Sequence, residues 1–428
     1  MRDYHAHEIG NVAVLGHSGC GKTSIVETMA YRAGAIGQIG DIQSGNTISD
    51  YSAEEIARQS SINLSIVPIE WDNCKINLID VPGTFDFVGE TEAALSVCES
   101  ALIICPSYAG ISAGTKQAMY KARNKGKIIY INGLDNPNSD YPTKLQQLKD
   151  TYGKGIAPIQ VPIMDNNKMV GYVNVAKMEG RMFENGQTHE APIPEDMMDE
   201  VLPIKAMIDE AVANTSDELL EKYLEEEPFT KEEISNALRQ GVTDGSLIPV
   251  LCGTDRIGIS IILNSMCAFF DSANHPKNAL IVKDLKKDDE KILECNEDSP
   301  TSLFVFKTIT DPFVGKTSYF KVTSGTLYAG MTLYNPKEKE DEKIVKIYQP
   351  MGKNLIEVDN FMQGKLVHLH VQLHVIQMIH YVIHVLLSLF LIQNILNHII
   401  RKRLYLLVRA MKKRLRMRLI DYSKRILL

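Results

Sequence analysis

The stretch "NVAVLGHSGCGKTSIVETMAYRAG", residues 11–34, limits the possible folds of this chain more than any other. It reads as an apolar strand, a glycine-rich turn, and a helix with apolar residues at Ile25, Val26, Met29 and Ala30. Gly16, Gly21, Lys22 and Thr23 fit G-x-x-x-x-G-K-[ST]. The glycines let backbone N–H groups close around phosphate, Lys22 neutralises the outer phosphates, and the Thr23 hydroxyl suits Mg2+. All of this stands at a helix N-terminus, which already favours anions. The pattern points to a nucleoside triphosphate and does not choose between ATP and GTP.

Further candidates fall at the ends of other predicted strands. "NLSIVPIEWDNCKINLIDVPGTFDF" reads as two strands joined by a turn at Asp72 and Asn73, the second ending in Asp80-Val81-Pro82-Gly83. A carboxylate there suits a water-mediated bond to Mg2+, and the glycine lets a backbone N–H reach a terminal phosphate. In isolation the same letters are a strand and an ordinary Pro-Gly turn. "GKIIYINGLDNP" delivers Asn132 and Asp135, and "SLIPVLCGTDRIGI" delivers Cys252, Gly253 and Thr254. A carboxylate at Asp135 accepts from the N1 and N2 protons of guanine and repels the acceptor N1 of adenine. Sites at several strand ends form a constellation, because ligands of open parallel sheets collect at the carboxyl ends of the strands.

At 428 residues the chain has room for two or three domains, and 44% hydrophobic with 23% charged residues is ordinary for a globular protein. The net charge of -7 divides unevenly: residues 365–428 hold 12 Lys and Arg against one Asp, leaving 34 basic and 52 acidic residues in 1–364. So acidic a body argues against a general electrostatic grip on nucleic acid, DNA included, though not against a local basic patch. The seven cysteines are odd in number and lack C-x-x-C spacing, and Cys98, Cys105 and Cys252 lie in apolar runs, which predicts reduced thiols in a cytoplasmic protein. The N-terminus has no secretory pattern.

The order of motifs resembles the translational GTPases, and within them elongation factor G and its paralogues. "SGNTISDYSAEEIAR" is similar to that family's first switch region, "INGLDNPNSDYPTKLQQLKDTYGKGIAPIQVPI" to its base-site strand and the elements after it, and "IPVLCGTDRIGI" to its last base-contacting loop. "FVFKTITDPFVGKTSYFKVTSGTLYAGMTLYN" resembles the start of its second domain, a small β-barrel. The likeness runs from about residue 9 to 364.

The resemblance implies an α/β fold: a P-loop GTPase domain at 1–280 with an inserted subdomain at about 160–245, an incomplete β-barrel at 281–364, and a non-native tail, helical or disordered, at 365–428. It implies GTP and Mg2+, with Gly16, His17, Ser18, Gly19, Cys20, Gly21, Lys22 and Thr23 on the phosphates. Asp80, Val81, Pro82, Gly83 and Thr84 would form the second switch, and Asn132, Gly133, Leu134, Asp135, Gly253 and Thr254 would hold the base. Lys22, Gly83 and Thr84 are the candidate catalytic residues, and Thr23, Ser61 and Asp80 the candidate metal ligands. The expected partner is the ribosome, its RNA and proteins, with the chain a monomer in the cytoplasm. The charges of "DELLEKYLEEEPFTKEEI" in the inserted subdomain read as a solvated helix face.

Three positions depart from that family. Thr84 stands where the elongation factors carry a histidine that positions the attacking water; Gly133 replaces the lysine of Asn-Lys-x-Asp, so packing over the base is lost; Ser61 replaces the metal-binding threonine and keeps its hydroxyl. GTP binding is expected to survive and hydrolysis to be slow or differently triggered. The alternative is a GTP-binding module that occupies the ribosome with little or no catalysis.

Beyond Gly364 the composition changes. Residues 365–428 contain no Gly, Pro, Thr, Cys or Glu, yet hold 6 of the 11 His. One reading is a membrane helix, since 366–400 carry no formal charge and a basic run follows, although His380, His384, Gln393 and Asn394 interrupt it. A second is an amphipathic helix over "RKRLYLLVRAMKKRLRMR" that binds acidic lipid or RNA. The third is a changed reading frame: back-translation in one shifted phase permits family-like sequence around "GKLVH", "HVIQMIHYVIH" and "MKKRLRMRLIDYSKRIL", in family order. On that reading the family's third to fifth domains are missing and translocation by this chain fails.

Overall fold

Short apolar runs rich in β-branched residues make strands that can be buried on both faces, and such strands pair in parallel when helices connect them. The computed structural model describes residues 4–184, 187–275, 280–284, 289–293, 299–311, 315–335, 338–358, 360–362, 366–370 and 379–382. In chain order the first domain places β1 (Ile9–Gly16), α1 (Lys22–Arg32), α2 (Ala53–Arg58), β2 (Ser65–Trp71), β3 (Cys74–Asp80), α3 (Val88–Val97), β4 (Ser100–Pro106), α4 (Ala113–Lys121), β5 (Gly126–Asn132), α5 (Tyr141–Tyr152) and β6 (Ile156–Pro158). After an insertion, β11 (Ile248–Gly253) and α9 (Ile259–Phe269) complete it. The sheet order is β2-β3-β1-β4-β5-β11-β6. β2 runs antiparallel to β3, and the other pairings are parallel. The β2–β3 turn falls at Asp72 and Asn73, both with positive φ, as a tight hairpin requires.

The insertion lies between β6 and β11. It comprises β7 (Gln160–Asp165), β8 (Lys168–Asn174), β9 (Glu179–Glu184) and β10 (Gln187–Ala191), an antiparallel sheet in the order β10-β9-β8-β7, and then α6 (Met198–Ala213), α7 (Asp217–Leu224) and α8 (Lys231–Asp244). One apolar core joins both parts, with Val12, Val14, Ile103 and Ile129 from the central strands and Val173, Ile208 and Leu238 from the insertion. Ser52 and Thr230 start α2 and α8 through capping boxes with Glu55 and Glu233, and Gly245 ends α8 in the left-handed conformation. Of the described cysteines, Cys98, Cys105 and Cys252 are buried.

The remaining elements are β-strands: β12 (Leu280–Asp284), β13 (Asp289–Leu293), β14 (Ser302–Asp311), β15 (Gly315–Ser324), β16 (Thr326–Tyr328), β17 (Thr332–Asn335), β18 (Glu340–Lys343), β19 (Lys346–Met351), β20 (Asn354–Val358), β21 (Asn360–Met362), β22 (Leu366–His370) and β23 (Ile379–Val382). Eight of them form a sheet in the order β18-β17-β23-β14-β15-β22-β19-β20 over a second core of Leu303, Val305, Phe320, Val322, Leu333 and Ile347.

Two short stretches beyond residue 364 thus depart from the expected helical or disordered tail. Leu366–His370 pairs with β15 and β19, and Ile379–Val382 with β14. The pairing rests on backbone N–H and C=O groups, which any extended segment without proline supplies to an unpaired strand edge. The rest of the tail, including the basic run, lies outside the described residues. Among the described residues no helix is long and apolar enough to cross a membrane.

The strand domain packs on the first domain through Phe306 and Tyr319, which join its apolar core, and through polar contacts. Lys307 Nζ on β14 donates to Glu90 Oε2 at 2.6 Å and to Asn63 Oδ1 at 3.1 Å. Lys321 on β15 pairs with Glu99 and donates to the Val97 carbonyl at 3.0 Å. Lys75 Nζ donates to Gln349 Oε1 at 3.0 Å, and Gly352 N to the Ile66 carbonyl at 2.9 Å.

Candidate functional site

Because β1, β3, β4, β5 and β11 run parallel, Gly16, Asp80, Asn132 and Gly253 emerge at one edge of the sheet. The register sets Gly16 opposite Ile104 and Gly253 opposite Asn132. The predicted phosphate, metal and base residues therefore share one rim, which is where the topology of an open parallel sheet collects a ligand.

The phosphate loop leaves β1 at Gly16 and enters α1 at Lys22. Gly21, the residue before the helix, has φ 93°, and a Cβ there would lie 2.5 Å from Asn132 Nδ2, so only glycine fits between the loop and β5. Asn132 Nδ2 donates to the Cys20 carbonyl at 2.9 Å, which ties the base-side strand to the phosphate loop. Lys22 is buried, and its Nζ donates to the His17 carbonyl at 3.0 Å and the Gly16 carbonyl at 3.4 Å, so the ammonium is held back over the loop. Cys20 packs into the core, where burial raises its thiol pKa; its part in the loop is its backbone.

At the start of α1, Thr23 Oγ1 donates to Asp80 Oδ2 at 2.8 Å and lies 3.3 Å from Ser61 Oγ. Asp80 is buried, and its Oδ1 has no hydrogen-bond partner. Burial raises the Asp80 pKa, while the Lys22 charge and the Thr23 hydrogen bond oppose the rise. One carboxylate and two hydroxyls, all oxygen, with an orphaned buried oxygen among them, fit a hard cation such as Mg2+. Asp50, which the sequence reading did not single out, stands at the same corner. Burial and then the Asp80 charge push its carboxyl up to about 7, and its Oδ1 is also without a partner.

The turn after β3 closes on the phosphate loop. A Cβ on Gly83 would sit 2.6 Å from the Ser18 amide nitrogen and against Lys22 Nζ, so the residue lies directly over the loop. Thr84 follows, with its hydroxyl oxygen buried and unpartnered. Its neighbour Phe85 is half exposed and lies 6.5 Å, ring to ring, from His17, whose Nδ1 is buried without a partner. Val81 and Pro82 are buried, so this turn meets the rim through Gly83 and Thr84.

On the base side, Leu134 N donates to the Gly253 carbonyl at 3.1 Å, joining the two predicted base loops. Leu134 itself is buried, Asp135 is exposed, and Asn132 Oδ1 is buried without a partner. Thr254 Oγ1 accepts from Arg256 N at 3.1 Å and Ile257 N at 2.9 Å, and Tyr130 OH donates to the Thr254 carbonyl at 2.7 Å, which fixes that turn. Beside Gly133 stands Tyr108, 45% exposed, a residue the sequence reading also passed over.

Two buried glutamates, equally unmarked in the sequence, shape the segment between α1 and β2. Glu27 on α1 accepts from Gly40 N at 2.8 Å and Ile48 N at 2.9 Å. Glu55 accepts from Ser52 N at 3.1 Å, Ile62 N at 3.1 Å and Asn63 N at 3.0 Å, so Ser61 is carried by a turn anchored on α2.

Comparison with known proteins gives matches to two families. Residues 7–272 match the elongation factor Tu GTP binding domain, and residues 300–377 match elongation factor G domain 2. The second match runs past Gly364, where the likeness was expected to end. Among solved structures the chain is similar to ttk003000868 from Thermus thermophilus, with 29% identity and a TM-score of 0.76. The match covers 88% of this chain and 54% of that one, so the chain spans about half the length of the protein it resembles.

Proposed function

The chain belongs to the family of elongation factor Tu GTP-binding domains, a GTPase family, and from that premise we propose that it is a ribosome-dependent GTPase of protein synthesis of the elongation factor G kind. It would act in the cytoplasm on GTP and Mg2+, with the ribosome's RNA and proteins as partners. The observation that carries this reading is the rim where Lys22, Thr23, Ser61 and Asp80 meet under Gly83, across the sheet edge from Asn132 and Asp135. A bound Mg2+ would offset negative charge on the outer phosphates.

Within that site the chain's residues have separable tasks. The backbone N–H groups of residues 17–23 bind and orient the phosphates, and Lys22, already held over the loop by two carbonyls, places a positive charge where charge develops as the terminal phosphate leaves. Gly83 N–H binds the terminal phosphate from the opposite side. Asn132 holds the phosphate and base loops together, while Asp135 accepts from guanine. Thr84 offers a hydroxyl but no imidazole, so it orients the attacking water less well than a histidine would, and hydrolysis is slow.

The test is multiple-turnover GTP hydrolysis with and without ribosomes, for wild type and Thr84→His. Removing one preorganised hydrogen-bond donor from an active site costs about 10²–10³ in rate. The expected result is a slow wild type and a ribosome-dependent gain of at least tenfold in the variant; no gain would sink the assignment of slowness to Thr84. Thr84 also favours the second reading, a module that binds GTP on the ribosome with little turnover, which ribosome binding without hydrolysis in both proteins would support.

We further propose that a changed reading frame near Gly364 produced the sequence beyond it, on the abrupt loss of Gly, Pro, Thr, Cys and Glu. Resequencing the source DNA across codons 355–375 decides it. A one-base difference, or family-like coding downstream in the shifted phase, supports it; no such coding in any phase contradicts it.

A further inference from the structure

We propose that Tyr108 supplies an aromatic face against which the nucleotide base stacks, in place of the side chain missing at Gly133. The inference rests on the guanine-nucleotide reading above. Gly133 has φ 83°, a backbone conformation that residues with a side chain adopt only at a cost and glycine adopts freely. A Cβ built there would lie 3.4 Å from Tyr108 Cε1 and 3.6 Å from Cδ1, so the ring occupies the direction a residue-133 side chain would take.

The ring is placed by the strand end beneath it. Ser107 N donates to the Asn132 carbonyl at 2.8 Å, and Ser107 Oγ donates to the Gly133 carbonyl at 2.6 Å, so the residue before Tyr108 is pinned at both atoms to the base loop. Ser107 itself is buried, whereas Tyr108 is 45% exposed. An exposed ring in van der Waals reach of the loop between Asn132 and Asp135 stands beside the space a base would fill. Every base has a π-face, so stacking adds affinity without choosing the base, and selection stays with Asp135.

The test is titration of the full chain with GDP and Mg2+, for wild type, Tyr108→Phe and Tyr108→Ala, with Mg2+-pyrophosphate as the probe that lacks a base. Base–aromatic stacking corresponds to a loss of about 5- to 150-fold on removal of the ring. Tyr108→Ala is expected to weaken GDP by that factor, Tyr108→Phe to stay within about twofold, and pyrophosphate to bind all three alike. The inference is overturned if Tyr108→Ala binds GDP as wild type does, or loses GDP and pyrophosphate equally, since the residue would then be an ordinary surface tyrosine or a support for the loop. A wild type that does not prefer GDP to ADP would instead overturn the guanine reading itself, and this inference with it.

Discussion

Asp80 is buried with one carboxylate oxygen on Thr23 and the other without a partner, beside Asp50, whose carboxyl is also pushed up. Such crowding of acids costs stability unless a cation offsets it, and functional sites accept that kind of cost. Asp80→Asn keeps the shape and removes the charge. In EDTA without nucleotide the variant is expected to melt at the same temperature as wild type or higher, while its GTP affinity in Mg2+ falls at least tenfold and no longer responds to EDTA. Calorimetry and nucleotide titration check both halves; a lower melting point with intact Mg2+ dependence would make Asp80 a structural residue. Lys22 and Thr23 stand out in the sequence through a motif of fixed spacing, and Asp80 through its place at a strand end downstream of that motif. Asp50 and Tyr108 do not, because each gains its meaning from residues distant in sequence, Asp80 and Gly133.

The elements show the same division between local and non-local causes. The apolar runs of β1, β5 and β11 and the Asp72–Asn73 hairpin could be read directly, whereas β4, an equally apolar run around Cys105, was not marked as a strand, and the order of the sheet is set by the fold. Helix α1 was legible as a helix, but not the reach of its Glu27, which is buried and receives two backbone N–H groups of the following loop. Charge on a helix ordinarily signals solvent, and only the fold shows that this carboxylate faces inward. β22 and β23 were illegible for another reason. Their composition is unlike the strands they join, and a ladder of backbone hydrogen bonds does not depend on side-chain identity.

At the scale of the whole molecule, Lys307 of the strand domain meets Asn63 in the turn between α2 and β2 and Glu90 on α3, and Glu90 also receives Leu64 N at 2.7 Å. The two segments that surround the phosphate rim and the second domain thus converge on one carboxylate. Nothing in the sequence marks these three residues as partners. What would join the parts into one function is the proposed site for a guanine nucleotide. The most direct measurement is therefore the dissociation constants of GTP and ATP for the full chain in Mg2+. A site that hydrogen-bonds one base strongly disfavours another that leaves its polar groups unpaired, so GTP should bind at least about 100-fold more tightly than ATP. Equal affinity for the two, or binding of neither, would contradict it.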